Sequence, residues 1–274
     1  MRERLDIQPE LVCELLVSFL REELASAGFV KAVVGLSGGI DSAVSAALAA
    51  RAFGGERVLA VMLPYATSNP DSEAHAREVI DAFGLASKRV DITRMADGYL
   101  EPEAVENATR RGNVLARCRM TVLYDQSVEW GGLVIGTSNK TEMLLGYSTQ
   151  FGDAAHAVNP LGDLYKHQIV QVARHLEVPA SVIDKPPSAD LFEGQTDEDD
   201  LGFSYELADQ VLYRLVDQRA SKAELVAEGF DDALVTNIVS RVVRNQFKRM
   251  LPVLAKLSNR SINHDFRYLR DWLQ

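Results

Sequence analysis

The stretch from Gly35 to Ala43 constrains the fold more strongly than any other part of the sequence. It follows the β-branched pair Val33 and Val34, typical of a buried strand, and leads into an alanine-rich run over 43–52 that predicts a helix. Glycines in such a turn can adopt positive φ, so backbone N–H groups can approach a ligand, and serine hydroxyls add donors at the helix N-terminus. The sequence therefore predicts a cradle for phosphate. The predicted cradle consists of Gly35, Leu36, Ser37, Gly38, Gly39, Ile40, Asp41 and Ser42.

One residue of this cradle carries a negative charge. Asp41 would repel a bound polyphosphate unless a divalent cation lay between them, so the sequence implies Mg²⁺. The chain contains no Gly-Lys-Ser or Gly-Lys-Thr, and its glycines do not fit G-x-G-x-x-G, so neither of the two commoner phosphate loops is present. The simpler alternative is a chance Gly-Gly turn capped by serine and aspartate.

The composition is that of an ordinary globular protein. Its 274 residues are 47% hydrophobic and 25% charged, enough for a substantial core in one large or two small domains. The net charge of −10 argues against a nucleic acid partner. The two cysteines, Cys13 and Cys118, lie in apolar periodic stretches, so neither a disulfide framework nor a zinc site is indicated. We therefore expect a reducing compartment. No signal-type segment or membrane-spanning run is visible, so we expect a cytoplasmic protein without a membrane partner.

Hydrophobic periodicity predicts alternating strands and helices. Predicted helices occupy 9–27, 43–52, 71–83 and 113–130, and predicted strands occupy 33–34, 57–63, 88–92 and 133–135. Such alternation implies an α/β fold with a doubly wound parallel sheet and right-handed crossovers. From Phe203 onward the pattern is mainly helical, with a last long helix over 231–249.

Two loops, 35–42 and 136–142, each leave the carboxyl end of a predicted strand. In a parallel sheet they face one crevice, so Glu142 is a second carboxylate for the Mg²⁺ at Asp41, and Thr137 lies near the nucleotide. Taken alone, Glu142 would be better explained as a first-turn acid that complements the helix dipole than as a metal ligand. Its place beside the cradle favours the metal.

A resemblance runs through nearly the whole chain. SGGIDS resembles the pyrophosphate loop of the N-type ATP pyrophosphatases, in an adenine nucleotide α hydrolase-like, Rossmann-like fold. The chain as a whole resembles the NAD synthetase family. This family has a glutamine-dependent and a short, ammonia-dependent type, and the chain resembles the second. The segments that carry this likeness are SGGIDSA (37–43), NVLARCRM (113–120), GTSNKTE (136–142), GYSTQFGD (146–153), NPLGDLYKHQ (159–168), KPPSADL (185–191), DEDDLGFSY (197–205) and FKRMLP (247–252).

The resemblance implies a reaction and a set of partners. Deamido-NAD, ATP and ammonia would give NAD, AMP and pyrophosphate through an adenylated nicotinate carboxylate. Because glutamine-dependent members carry a glutaminase domain ahead of the loop, we expect ammonia, not glutamine, as the nitrogen donor. Two alternatives remain: a tRNA sulfur transferase of the same superfamily, and a nucleotide-binding regulator without catalysis.

The resemblance also implies site residues. Asp41 and Glu142 would hold Mg²⁺, and the implied catalytic residues are Asp41, Lys166 and Asp153, the last orienting ammonium and taking its proton. Besides the cradle, the implied ATP contacts are Ser68, Thr137, Lys166 and Ser188. The implied deamido-NAD contacts are Arg117, Gln150, Asp153, Ala157, Phe247 and Lys248. At Gln150, Ala157 and Phe247 the family often has Lys, Asp and His, which suggests a subgroup difference on the nicotinate side.

We expect one NAD synthetase domain in three parts: an α/β core over 1–180, a mobile loop over 181–202 and a helical part over 203–274. By composition the acid-rich segment 193–200 is a solvated loop, and the resemblance suggests a lid. The helix 113–130 carries apolar residues, among them Leu123, in most sectors of its surface, so burial within one chain and against a second copy both remain open. The resemblance favours a homodimer in which this helix lies near its symmetry mate.

Overall fold

The computed structural model describes residues 5–188 and 196–262. At its centre lies a parallel sheet in the order β3-β2-β1-β4. The strands are β1 Ala32–Gly35, β2 Val58–Met62, β3 Ala86–Arg89 and β4 Leu133–Ile135. The chain moves outward from β1 to β3 and then crosses back to β4 on the other side of β1, which makes a topological switch point between β1 and β4. The predicted α/β parallel sheet is confirmed, although β3 begins earlier than the predicted 88–92.

Helices connect the strands and form the C-terminal part. They are α1 Pro9–Ser26, α2 Ile40–Phe53, α3 Pro70–Phe83, α4 Thr93–Leu100, α5 Ala108–Trp130, α6 Lys140–Leu145, α7 Lys166–His175, α8 Ala180–Ile183, α9 Asp197–Leu201, α10 Tyr205–Leu212, α11 Lys222–Ala227 and α12 Asp232–Arg244. Across residues 5–188 and 196–262, none has the length and apolar character needed to cross a membrane.

Three helices differ from the sequence prediction. Helix α5 begins before residue 113 because the side chain of Asn107 accepts a hydrogen bond from the backbone N–H of Arg110 at 2.9 Å and so caps the helix. Helix α4 was not predicted, because eight residues give too few turns for a clear hydrophobic period. The predicted helix over 231–249 ends at Arg244, and a 3₁₀ turn over Gln246–Arg249 follows it.

The side chains of β1 alternate between two covered faces. Val34 packs into the larger core with α1, α2 and α7, whereas Val33 packs on the opposite face, which α5 covers. There Leu123 of α5 lies so close to β1 that a Cβ added to Gly35 would be 3.0 Å from Leu123 Cδ1. Burial on both faces is what a parallel sheet requires.

A second hydrophobic cluster joins the C-terminal helices to α6 and the start of α7. Its buried members are Leu5, Leu145, Tyr165, Leu201, Phe203, Tyr205, Ala208, Val211, Leu212, Leu225, Val235 and Ile238. Because α6 carries Glu142 and α7 begins at Lys166, the C-terminal helices pack directly against the two elements that deliver predicted site residues.

The acid-rich segment is only partly a solvated loop. Part of it, and part of the predicted mobile loop over 181–202, lies outside the described residues. The chain resumes before α9, whose first residue, Asp197, is only 5% exposed. The hydroxyls of Tyr147 and Tyr205 lie 3.1 and 3.0 Å from its two carboxylate oxygens. The prediction of a solvated loop over 193–200 is therefore wrong for Asp197, which tyrosine hydroxyls hold in a buried position.

Candidate active site

The cradle between β1 and α2 is organised by its own serines. The backbone N–H of Ser37 donates to Ser42 Oγ at 3.2 Å, and the N–H of Gly39 lies 3.3 Å from Ser37 Oγ. Ser42 Oγ in turn donates to the carbonyl of Gly39 at 2.9 Å. These bonds hold the turn closed at the N-terminus of α2, where the first N–H groups have no partner within the helix.

The two central glycines of the cradle differ. Gly38 has φ +75°, and a Cβ there would lie 2.1 Å from the carbonyl oxygen of Ser72 in α3. Gly39 has φ −95°, and its Cβ would meet nothing nearer than Ser37 Oγ at 3.4 Å. The left-handed conformation, which the sequence allowed at both glycines, is thus used only at Gly38.

We expect Gly38→Ala to destabilise the fold and Gly39→Ala to leave it nearly unchanged. The left-handed conformation alone costs alanine about 1–2 kcal/mol, and the contact with Ser72 adds to that cost. Urea unfolding of both variants and the wild type checks this. Equal free energies of unfolding for the two variants would contradict the described geometry.

A lysine lies between the two predicted metal carboxylates. Lys166 Nζ forms an ion pair with Asp41 Oδ2 and lies 3.7 Å from Glu142 Oε1. Asp41 comes from the first turn of α2, Glu142 from the first turn of α6, and Lys166 from the first turn of α7. Three segments that are far apart in sequence therefore meet at the switch point, as the two-loop prediction required for Asp41 and Glu142.

Burial and charge shape the titration of this group. Burial by itself would lower the pKa of Lys166, but the carboxylates of Asp41 and Glu142 outweigh it and raise that pKa, so the ammonium stays charged. Burial and the neighbouring charge of Asp41 together raise the pKa of Glu142 to about 8, although the charge of Lys166 opposes the shift. A positive charge close to Glu142 therefore favours its carboxylate form.

Asn139 joins the two loops, and the sequence did not identify it. Its side chain accepts a hydrogen bond from Glu142 N at 3.0 Å and donates one to Asp41 Oδ1 at 2.9 Å. Glu142 Oε2 in turn accepts from the backbone N–H of Asn139 at 3.2 Å. The capping box of α6 thus fixes both carboxylates at once. The sequence signal was an N-cap asparagine three residues before a glutamate.

Two further side chains, at the first positions of α9 and α10, contribute to the surroundings of Lys166. Its ammonium lies 5.1 Å from the ring centroid of Tyr205, a cation–π distance. The hydroxyl of the same tyrosine donates to Asp197 at 3.0 Å, and Asp197 adds negative charge around Lys166. Neither residue was predicted from the sequence as part of the site.

Asp41, Lys166 and Asp197 line one large cavity of about 1220 Å³ at the carboxyl ends of the strands. All the predicted ATP contacts except Gly38 line it. Those residues are Gly35, Leu36, Ser37, Gly39, Ile40, Asp41, Ser42, Ser68, Thr137, Lys166 and Ser188. Glu142 also lines it. The Ser68 hydroxyl accepts a bond from Tyr65 N at 3.2 Å and so closes a turn after β2.

Several cations of the cavity wall were not predicted as site residues, and one of them lies beside the cradle. Lys185, the first residue of the KPPSADL segment, donates to Ser72 Oγ at 3.0 Å. Ser72 is the residue whose carbonyl closes against Gly38, so Lys185 lies beside the cradle. A lysine directly before Pro186 and Pro187 was the signal available in the sequence.

The predicted deamido-NAD contacts do not converge within the described chain. Asp153 and Lys248 line the large cavity, whereas Gln150 and Phe247 line a separate groove of about 400 Å³. Arg117 is exposed and donates to the carbonyl of Gln150 at 3.2 Å. Ala157 is also exposed, and its backbone N–H donates to Val134 at 2.9 Å.

The loop that carries Asp153 is held from two sides. Asp153 Oδ1 accepts from Thr149 N at 2.8 Å, and the Thr149 hydroxyl donates to Asn113 Oδ1 at 2.7 Å. Lys248 donates to the carbonyls of Gly146 and Ser148 at 2.7 and 2.6 Å. Crowding by protein atoms raises the pKa of the Asp153 carboxyl, although the residue remains open to the cavity. Lys248 is thus committed to the backbone of the Asp153 loop.

Within the described residues, neither a larger metal cluster nor a reactive thiol accompanies the two carboxylates. Within 5–188 and 196–262, no group of three or more His, Cys, Asp or Glu side chains is arranged to hold a metal ion. Cys13 and Cys118 are free and buried, and burial raises the pKa of each thiol. A two-carboxylate site leaves room for other ligands such as phosphate oxygens and water.

A parallel sheet with a serine-glycine turn after β1 and a lysine between two carboxylates at its switch point defines an α/β protein of the adenine nucleotide α hydrolase type. Comparison of the sequence with protein-family models then gives the family. The model described as NAD synthase matches residues 12–252. The chain belongs to the NAD synthase family.

Individual proteins agree with this assignment. The chain is 56% identical over 269 residues to an NH(3)-dependent NAD(+) synthetase of Trichlorobacter lovleyi, covering 98% of each chain. Among solved structures it is similar to an NMN synthetase from Francisella tularensis, with 32% identity, a TM-score of 0.81 and coverage of 92% of this chain and 100% of the other. An NH3-dependent NAD synthetase from Campylobacter jejuni is similar at 31% identity and a TM-score of 0.78, with the same coverage.

Proposed function

We propose that the protein is an ammonia-dependent NAD synthetase, a ligase that joins ammonia to the nicotinate carboxylate of deamido-NAD at the expense of ATP. The observation that carries this proposal is Lys166 paired with Asp41 and Glu142 beside the serine-glycine cradle. The family assignment and the names of the relatives support the choice of reaction.

The chemistry proceeds in two steps. A carboxylate oxygen of deamido-NAD attacks the α-phosphorus of ATP, the bond to the bridging oxygen breaks, and pyrophosphate leaves. Ammonia then attacks the carbonyl carbon of the mixed anhydride and loses a proton. The bond between this carbon and the phosphate oxygen breaks, and AMP leaves with its electron pair. In the first step negative charge grows on the leaving pyrophosphate, and Lys166 with the cradle N–H and hydroxyl donors would stabilise it.

We propose that Asp41 and Glu142 hold Mg²⁺. Their oxygen atoms already converge on one cation, the Lys166 ammonium, and hard carboxylate oxygens are the ligands that Mg²⁺ takes in nucleotide sites. One or two carboxylates together with substrate phosphates are the usual set for this ion. A bound metal would supply charge neutralisation along the polyphosphate.

We propose Asp153 as the residue that orients ammonium and accepts its proton. Burial raises the pKa of the Asp153 carboxyl, which makes it a better proton acceptor, and Thr149 and Lys248 fix its loop. Ammonia as the nitrogen donor is supported by the names of the similar proteins, which are NH(3)-dependent NAD(+) synthetases. A cytoplasmic location is supported by two free, buried cysteines.

A competition assay tests the choice of substrate directly. Purified protein with MgATP and ammonium is offered deamido-NAD and nicotinic acid mononucleotide together. We expect NAD as the main product, since the sequence is nearer to the NAD(+) synthetases than to the NMN synthetase structure. Preferential amidation of the mononucleotide would overturn the choice of substrate. Equal rates with glutamine in place of ammonium would overturn the choice of nitrogen donor.

The two alternatives from the sequence have separate signatures. A sulfur transferase needs a reactive thiol, whereas Cys118 is buried among Tyr65, Ile92 and Leu115 with a raised pKa. A non-catalytic regulator would bind ATP in the cavity and release no pyrophosphate in the presence of the other substrates. The competition assay distinguishes both from the proposed ligase.

We propose that two copies form a dimer along α5 that completes the nicotinate side. Gln150, Phe247 and Arg117 lie outside the large cavity of the single chain, and Val128 of α5 is 84% exposed. Leu123, in contrast, packs on Gly35 within the chain and is unsuited to test the interface.

Sedimentation equilibrium at micromolar concentration should therefore show a dimer, and Val128→Glu should shift it toward monomer with weaker deamido-NAD binding. An exposed position tolerates the new charge in a folded monomer, whereas a buried interface does not. Val30→Glu, at another exposed apolar position outside α5, serves as the control. A fully active monomeric wild type would contradict the proposal.

A further inference from the structure

One buried hydroxyl connects the helices that carry Glu142 and Lys166. Thr141 of α6 is 0% exposed, and its Oγ1 accepts a hydrogen bond from the backbone N–H of Lys166 at 3.0 Å. The same oxygen donates its proton to Asp209 Oδ1 at 2.5 Å. Thr141 directly precedes Glu142 in the chain, and its hydroxyl is hydrogen-bonded to the backbone of Lys166. This residue therefore links the position of Glu142 to that of Lys166.

Asp209 lies behind this hydroxyl on α10 of the C-terminal part. It is 0% exposed, and its second oxygen accepts the backbone N–H of His167 at 2.8 Å. The carboxylate therefore receives one donor from α6 and one from the first turn of α7, where a negative charge also complements the helix dipole. Burial raises the pKa of Asp209 to about 6 even though the hydrogen bonds from Thr141 and His167 oppose the shift.

We propose that Asp209 and Thr141 are positioning residues for the nucleotide site, holding Lys166 in register with Glu142. Neither side chain lines the cavity, so neither contacts ATP; both act through the placement of the lysine. The inference rests on the proposed role of Lys166 at the phosphates. It assigns the C-terminal helices a part in phosphate binding, because α10 supplies the carboxylate to which the N-terminus of α7 is attached.

The fold offers a way to separate this role from general stability. The backbone N–H of Lys140 also donates to the carbonyl of Leu164 at 2.8 Å, so α6 stays joined to the chain before α7 when the Thr141 hydroxyl is removed. Thr141→Val keeps the shape of the side chain and loses the hydroxyl, while Thr141→Ser keeps the hydroxyl. The two variants therefore differ mainly in the bond to Lys166 and Asp209.

The test is the affinity for MgATP, measured by titration calorimetry without deamido-NAD. We expect Thr141→Val to weaken binding about tenfold, because a displaced charge loses much of its contact with the phosphates, and Thr141→Ser to stay within about twofold of wild type. Val235→Ala, in the same C-terminal cluster but without a bond to Thr141 or Lys166, is the control for lost stability. It should lower the melting temperature and leave affinity unchanged.

A double-mutant cycle gives the decisive comparison. In a Lys166→Ala background, Thr141→Val should change MgATP affinity by less than about twofold, because the residue through which it acts is gone. Asp209→Asn, which still accepts from His167 but cannot accept the hydroxyl proton, should weaken binding and show the same dependence on Lys166. Wild-type affinity in folded Thr141→Val, or an equal loss in both backgrounds, would overturn the inference. If NAD is not formed by the wild type, the proposed function fails while this binding result still decides the positioning role.

Discussion

Asp41→Asn is expected to lower kcat/KM for NAD formation by about 10²–10³-fold while the protein remains folded, as for loss of one group that stabilises transition-state charge. The amide matches the carboxylate in shape and can keep the bond from Asn139, but it removes the charge that faces Lys166 and would face Mg²⁺. Steady-state kinetics at saturating and limiting Mg²⁺ measure the effect, with circular dichroism as the check on folding.

Asp81→Asn, on the exposed side of α3 and away from the cavity wall, is the matched control. It should retain wild-type activity at both metal concentrations. If Asp41→Asn were as active as this control at limiting Mg²⁺, Asp41 would have no place in the metal site.

Lys166→Ala is the second change with a large expected effect. It removes the cation between Asp41 and Glu142, and we expect kcat to fall by about 10²–10³-fold because the charge that grows on the departing pyrophosphate would lose the stabilisation proposed for Lys166. Lys166→Arg should restore little, since the larger planar guanidinium does not fit the space between two carboxylates and the Tyr205 ring.

Single-turnover kinetics, started from the preformed complex of enzyme and ATP, separate ATP binding from the chemical step in these two variants. A loss confined to KM for ATP, with kcat unchanged, would mean that Lys166 only binds the ground state. Full activity of Lys166→Arg would show that any positive charge suffices, and the specific placement described here would be unnecessary.

The sequence predicted the cradle and its two carboxylates because that information is local. A β-branched strand, a glycine turn and an alanine-rich helix are adjacent in the chain, and parallel topology then brings the loop at Glu142 to the same crevice. The sequence predicted that the glycines of the cradle can adopt positive φ. It could not predict that only Gly38 faces the carbonyl of Ser72, because Ser72 lies in another helix.

Thr141 and Asp209 could not be recognised in the same way. Asp209 belongs to the amphipathic helix α10, where a single acid is usually a solvated polar residue, and its partners come from α6 and α7. Asp197 was assigned to a solvated loop for the same reason, because composition gives no sign that tyrosines from two other parts of the chain bury it. Long-range polar pairing leaves no periodic signal.

The nicotinate side shows the limit of position-by-position transfer. Lys248 occupies the expected place near Asp153, yet its ammonium is bonded to the backbone of the Asp153 loop. Gln150 and Phe247 line a groove of their own. Their contribution to deamido-NAD binding stays a prediction that depends on the proposed dimer.

The most direct test of the account is the set of products formed from deamido-NAD, ammonium and ATP labelled at the α-phosphate. The proposed adenylation at the cradle predicts that the label appears in AMP, and that unlabelled pyrophosphate and unlabelled NAD form in amounts equal to it. Omission of deamido-NAD should abolish pyrophosphate release. Formation of labelled ADP with inorganic phosphate, at a rate equal to that of NAD, would contradict it.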